Sequence, residues 1–129
     1  MSQTLYSKDF IPSAPVLPVK LAVPGETQGE SIQVALVDTG ADGTFIPTAI
    51  LEEMELPIVF MTNVRSHLGE RLHRVPVHMV DIILFDTIRF PNIEVVADDW
   101  GDTIIIGRNV INKLNIHLNG PQESLSLFE

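Results

Sequence analysis

The chain has 129 residues, no cysteine and a formal net charge of −9. That length suits one domain with a modest core, the lack of cysteine excludes a disulfide framework, and the charge argues against nucleic acid or an anionic membrane surface as the main partner. A hydrophobic content of 45% fits a soluble globular chain; no apolar run approaches a membrane span, and the N-terminus has no basic-then-apolar signal segment, so a cytoplasmic location is expected.

Residues 1–13 read as a flexible arm, polar and Pro-containing, and residues 14–129 as a single domain. Pro12, Pro15, Pro18 and Pro24 confine any helix and favour extended chain. Val16–Val23 is the first predicted strand. Pro24-Gly25-Glu26-Thr27-Gln28-Gly29 is a turn, and Ser31–Val37 returns antiparallel. Within the return, Val34, Leu36 and Val37 read as a buried strand. It ends in Asp38-Thr39-Gly40. An acid at the end of a buried strand is costly unless it is hydrogen-bonded or paired, and Gly40 permits a tight turn that brings backbone amides close to it. Taken alone, the triplet also reads as an ordinary turn.

Thr44-Phe45-Ile46-Pro47 is short and apolar. Thr48 is placed to cap a helix over Ala49–Glu55, with Ile50, Leu51 and Met54 on one face, and Pro57 stops it. Strands are predicted from Ile58 to about Val64 and from Arg74 to Phe85, on either side of the polar stretch Arg65–His73. By composition that stretch is a solvent-exposed hairpin. Leu84–Phe90 turns through Asp86-Thr87, and Ile93–Ala97 is a further strand. Asp98-Asp99-Trp100-Gly101-Asp102 is an acidic turn; clustered carboxylates suit hard cations, but the spacing is not that of an EF-hand, and no metal is predicted. His67, His73, His78 and His117 show no metal-ligand spacing, and no GxSxG nucleophile turn is present, so packing or surface roles are expected for them. Thr103–Ile106 is a β-branched run broken by Gly107, and Val110, Ile111 and Leu114 then follow one helix face. Asn119-Gly120, between Ile116-His117-Leu118 and Leu125-Ser126-Leu127-Phe128, signals a terminal hairpin.

Two of these segments, Ala35-Leu36-Val37-Asp38-Thr39-Gly40-Ala41-Asp42 and Ile105-Ile106-Gly107-Arg108-Asn109, together resemble the retropepsin-like aspartic proteases, single-domain homodimeric relatives of pepsin. The resemblance implies a mostly β fold: a closed acid-protease barrel with one or two short helices, in a two-fold homodimer. It implies that Asp38 is the catalytic acid and that Thr39 stiffens the site by a hydrogen bond across the axis. Gly40 would offer its carbonyl to the substrate, and Asp42 would bind the substrate main chain and form a buried bidentate pair with Arg108. Leu36, Ala41, Phe45 and Ile105 match pocket-lining positions. Arg65–His73 becomes a flap, with Gly69 near its tip, although viral flaps are richer in glycine. Gly43 replaces an acid found in some viral relatives, and a terminal hairpin in place of interleaved strands implies a differently built dimer seam. On the residues alone, Asp42 and Arg108 also read as two unrelated surface charges.

Aspartic proteolysis needs two carboxylates sharing one proton, because two negative charges cannot coexist at close range. The ionised member takes a proton from the attacking water and the protonated member hydrogen-bonds the scissile carbonyl. Asp38-Thr39-Gly40 is the single Asp-Thr-Gly: Asp86-Thr87 and Asp102-Thr103 continue into Ile. The second acid is therefore expected from another copy across a two-fold axis. The expected function is an aspartic endopeptidase with no cofactor, whose partners are a second copy of itself and a polypeptide. The alternative is a catalytically weak protease-like β-domain used for dimerisation or peptide binding. Met1 and the terminal hairpin speak mildly against a processed fragment of a polyprotein.

Overall fold

The computed structural model describes residues 1–65 and 72–128. Its strands are β1 (Ser2–Leu5), β2 (Val16–Ala22), β3 (Gln33–Val37), β4 (Thr44–Pro47), β5 (Phe60–Arg65), β6 (Leu72–Leu84), β7 (Ile88–Asp98), β8 (Ile104–Ile106), β9 (Asn115–Asn119) and β10 (Ser124–Phe128). The helices are short: α1 (Thr48–Glu53) and α2 (Arg108–Ile111). None is long and apolar enough to cross a membrane.

Six strands close a barrel in the order β2-β3-β8-β4-β7-β6, and β6 pairs back onto β2. β5 is attached outside this ring, antiparallel to β6. Two of the pairings, β3 with β8 and β4 with β7, are parallel. Period-2 alternation sorts the side chains. Leu17, Val19 and Leu21 of β2, Ile93, Val95 and Ala97 of β7, and Ile104 and Ile106 of β8 fill the interior. Burying each large aliphatic side chain contributes about 1.5–3 kcal/mol. β1, β10 and β9 form a separate antiparallel sheet, joined to the core through Leu125 and Leu127.

Several expectations are corrected. Ala35 and Val37 are the inward residues of β3, whereas Val34 is 57% exposed; the strand alternates, so Val34 shares the outer face with Leu36. Thr48 does not cap α1. Pro47 holds that position without a side-chain bond, and the Thr48 hydroxyl donates instead to Asp99 Oδ1 at 2.5 Å. The β6–β7 turn is centred on Phe85-Asp86, one residue earlier than predicted: both have positive φ, and Thr87 N–H donates to the Leu84 carbonyl. No strand was predicted at Ser2–Leu5, yet β1 pairs with β10 from Ser2↔Leu127 to Leu5↔Ser124. The Asn119-Gly120 hairpin joins β9 to β10 as expected.

The longest strand carries a buried acid. Asp81 sits at a register shift in β6, between Val80 and Ile82, and is only 2% exposed. Its Oδ1 accepts from Asn92 N–H at 2.8 Å. Its Oδ2 accepts from Gly25 N–H at 3.1 Å and from Arg89 Nε and Nη2 at 3.1 and 2.8 Å. Burial alone would raise the pKa of this carboxyl, but the Asn92 and Gly25 amides and the Arg89 guanidinium together hold it below the ordinary Asp value.

Candidate active site

Asp38 follows β3 directly. Its N–H donates to the Ile106 carbonyl at 3.0 Å, which continues the parallel pairing with β8 by one more bond. Its carbonyl accepts from Ala41 N–H at 3.2 Å, closing a tight turn. Within that turn Gly40 N–H donates to Asp38 Oδ1 at 2.9 Å. The half-buried carboxylate is thus held by its own loop, as the sequence Asp-Thr-Gly suggests.

The loop is locked from behind by the Gly107–Asn109 segment. Arg108 N–H donates to the Ala41 carbonyl at 2.9 Å. The Arg108 side chain donates to the Thr39 carbonyl at 2.8 Å and to Asp42 Oδ1 at 2.6 Å. The Asp42–Arg108 pair is therefore formed, but it is neither buried nor bidentate: Asp42 is 95% exposed, and the guanidinium divides its donors between a carboxylate and a carbonyl. Gly107 lies so close to the loop that a Cβ there would sit 2.0 Å from the Gly43 carbonyl oxygen.

A second set of polar contacts, not assigned from sequence, ties the same parts together. The fully buried Thr44 hydroxyl donates to Asn109 Oδ1 at 2.8 Å and accepts from Gly107 N–H at 3.2 Å. Asn109 Nδ2 donates to the Glu94 carbonyl at 3.0 Å. In the sequence Asn109 stands out only as part of Gly-Arg-Asn. The available signal was a polar Thr at the head of an apolar strand, since such a group needs a partner once buried.

In front of the loop lies a cleft of about 1090 Å³. Its wall is set by strand register: Ile105 pairs with Phe45, Phe45 with Val96, Val96 with Val77, and Val77 with Phe60. All five line the cleft, as do Asp38, Gly40, Ala41 and Asp42. Leu36 is adjacent to Ile105 in the β3–β8 pairing but does not line the cleft, and neither does Thr39. Gly69 lies outside the described residues. At one margin Trp100, 71% exposed, contacts His73 edge to face at a centroid distance of 5.2 Å. Its backbone is fixed by Asp98, whose Oδ1 accepts from Trp100 N–H and Gly101 N–H at 3.0 Å each. Of the other histidines, His78 is buried with Nδ1 unpartnered among the described residues, His117 is exposed, and His67 lies outside the described residues. Among the described residues no group of three or more His, Asp or Glu side chains is arranged to hold a metal ion.

The aspartyl protease family matches residues 23–110, a span that includes both the Asp38 loop and Gly107–Asn109. No curated protein sequence matches the chain. Among solved structures, it is similar to the crystal structure of a retropepsin-like aspartic protease from Rickettsia conorii, with a TM-score of 0.67 and 11% identity, over 98% of this chain and 88% of that one. It is also similar to the foamy viral protease-reverse transcriptase in complex with an RNA/DNA hybrid, with a TM-score of 0.56 and 20% identity, over 79% of this chain and 12% of the viral one. At these identities the likeness is one of fold.

Proposed function

The chain belongs to the aspartyl protease family, and from that premise we propose that it is an endopeptidase that cuts extended polypeptides as a homodimer. The observation that carries this reading is the Asp38 carboxylate: held by Gly40 N–H, it stands at the wall of a large, mostly apolar cleft. One such loop supplies one acid, and the chemistry needs two. The second is Asp38 of the other copy, related by a two-fold axis.

The two carboxylates share one proton and titrate as a unit. The ionised oxygen takes a proton from a water lying between them as that water attacks the peptide carbonyl carbon. The protonated partner hydrogen-bonds the carbonyl oxygen and stabilises the charge that develops on it. When the tetrahedral intermediate collapses, the C–N bond breaks and the amine leaves with a proton from the dyad. Thr39 steadies the pair across the axis, while the Gly40 carbonyl and Asp42 receive the substrate backbone. Ala41, Phe45 and Ile105 supply apolar contact for side chains next to the scissile bond, and Leu36 backs Ile105 through the β3–β8 pairing. The β5–β6 arms, with Gly69 between them, act as the flap over a substrate laid in as an added strand.

The test is Asp38→Asn, assayed against a diverse peptide mixture from about pH 3 to 8, the span over which a carboxylate pair can titrate, with and without pepstatin. We expect wild-type cleavage with a bell-shaped pH dependence on the acidic side, inhibition by pepstatin, and none of this in the variant, which still forms dimers. Retained turnover in Asp38→Asn would refute the assignment. Binding of peptides by wild type without turnover would favour a peptide-binding module instead.

A further inference from the structure

Resting on that reading, we propose that Glu94 selects a Lys or Arg side chain of the substrate, where β7 runs beside the Gly43–Thr44 segment in the cleft wall. Burial alternates along β7 here: Ile93, Val95 and Ala97 are buried in the core, and Glu94, Val96 and Asp98 form the more exposed face that lines the cleft, which Ala97 also borders. Besides Asp38, the cleft has three acids along its described wall: Asp42, Glu94 and Asp98. Asp42 is engaged by Arg108, and Asp98 Oδ1 by two backbone amides. The Glu94 carboxylate has no hydrogen-bond or ion-pair partner among the described residues, although its main chain is fixed by Asn109 Nδ2. A firmly placed backbone with an unengaged acid at its side is a suitable receptor for an incoming cation.

The space and the field agree with this. A Cβ built on Gly43 would meet only Val96 Cγ2, at 3.9 Å, so this corner of the cleft has room for a side chain from outside. Val96 and Phe45 offer apolar surface to the methylene stem of a Lys or Arg, leaving its charged head for the carboxylate. The described basic groups of the cleft lie elsewhere. Arg65 pairs with Leu72, and His73 follows Leu72, at one end of β6, whereas Glu94 pairs with Met79. That offset is roughly 20 Å along the strand, well beyond the screening length of about 8 Å at physiological salt. Arg108 is nearer, but its guanidinium is shared between Thr39 and Asp42.

The experiment compares wild type, Glu94→Gln and Glu94→Lys on peptide sets that differ only by Lys, Gln or Glu at one position, scanned along the peptide. Cleavage is read in the active proteins. Binding is read by fluorescence anisotropy in the same three proteins carrying Asp38→Asn. Glu94 is exposed, and thermal midpoints check that all variants are folded. At one peptide position we expect a Lys-over-Glu preference that falls about fivefold in Glu94→Gln and inverts in Glu94→Lys. Cleavage with the same preference in all three proteins overturns the inference and leaves the peptidase reading standing. A Glu94-dependent preference in binding, with no Asp38-dependent cleavage, does the reverse. Neither binding preference nor cleavage overturns both.

Discussion

Asp81 shows how a single residue can be essential to a barrel without touching its chemistry. Asp81 interrupts the apolar run Val80–Leu84. The structure turns the interruption into a junction: one carboxylate joins the β2–β3 connection, through Gly25, to Arg89 and Asn92 of β7. Nothing local to Asp81 announces partners at positions 25, 89 and 92, so this role was not legible. Asp81→Asn should lower stability by about 2 kcal/mol at neutral pH, the usual cost of losing charge-assisted hydrogen bonds. Because the folded carboxyl titrates below the ordinary Asp value, its contribution is fully present above about pH 3.9. It is lost as pH falls through the lower folded value. Urea unfolding from pH 7 downward should therefore show the gap between wild type and variant constant at first and narrowing only below about pH 4. A gap independent of pH would mean that packing, not charge, is what Asp81 supplies.

At the scale of elements, the Asp38 loop is held less by its own turn than by the segment behind it. Both motifs were legible because each breaks an apolar run with glycine. Their contact was legible only through the family resemblance, since 63 or more residues separate the partners. Gly107 makes the contact possible. Its φ of −98° suits any residue, so the requirement is space, not conformation: a Cβ would intrude on the Gly43 carbonyl. Gly107→Ala should cost about 1–3 kcal/mol as the loop or α2 shifts. It should also reduce turnover more than peptide binding, because the displaced part carries Asp38. Thermal melts and steady-state kinetics on one preparation check both; a stable, fully active Gly107→Ala protein would contradict the close fit. The strands themselves were read well where apolar and polar residues alternate and badly where tertiary pairing decides. Val34 is apolar yet outward, and β1 exists only because β10 is there to pair with it.

For the whole molecule, the mostly β class and the closed retropepsin-like barrel followed from sequence pattern and resemblance together. The closure itself, β6 onto β2 from Val19↔Leu84 to Ala22↔Asp81, is a long-range pairing that no local pattern encodes. The assembly implied by a lone Asp-Thr-Gly makes a mixing prediction. If both acids are needed, wild type exchanged with a ninefold excess of Asp38→Asn should keep about a tenth of its activity per wild-type chain, the random chance that a wild-type chain meets a wild-type partner across the two-fold axis. Cleavage rates after pre-incubation at several ratios check this. Activity that merely scales with wild-type concentration would show that a single chain suffices.

The position of β5 outside the closed ring has one more consequence. Among the described residues Phe60–Arg65 bonds to β6 alone, so its far side offers a rail of amides and carbonyls that no described strand takes up. A guest chain settling along that rail would be gripped through its main chain, whatever its side chains, and would tighten the host in return. Deuterium uptake at the amides of this strand should slow when a non-cleavable peptide is present, while the amides of β9 and β10 keep their pace.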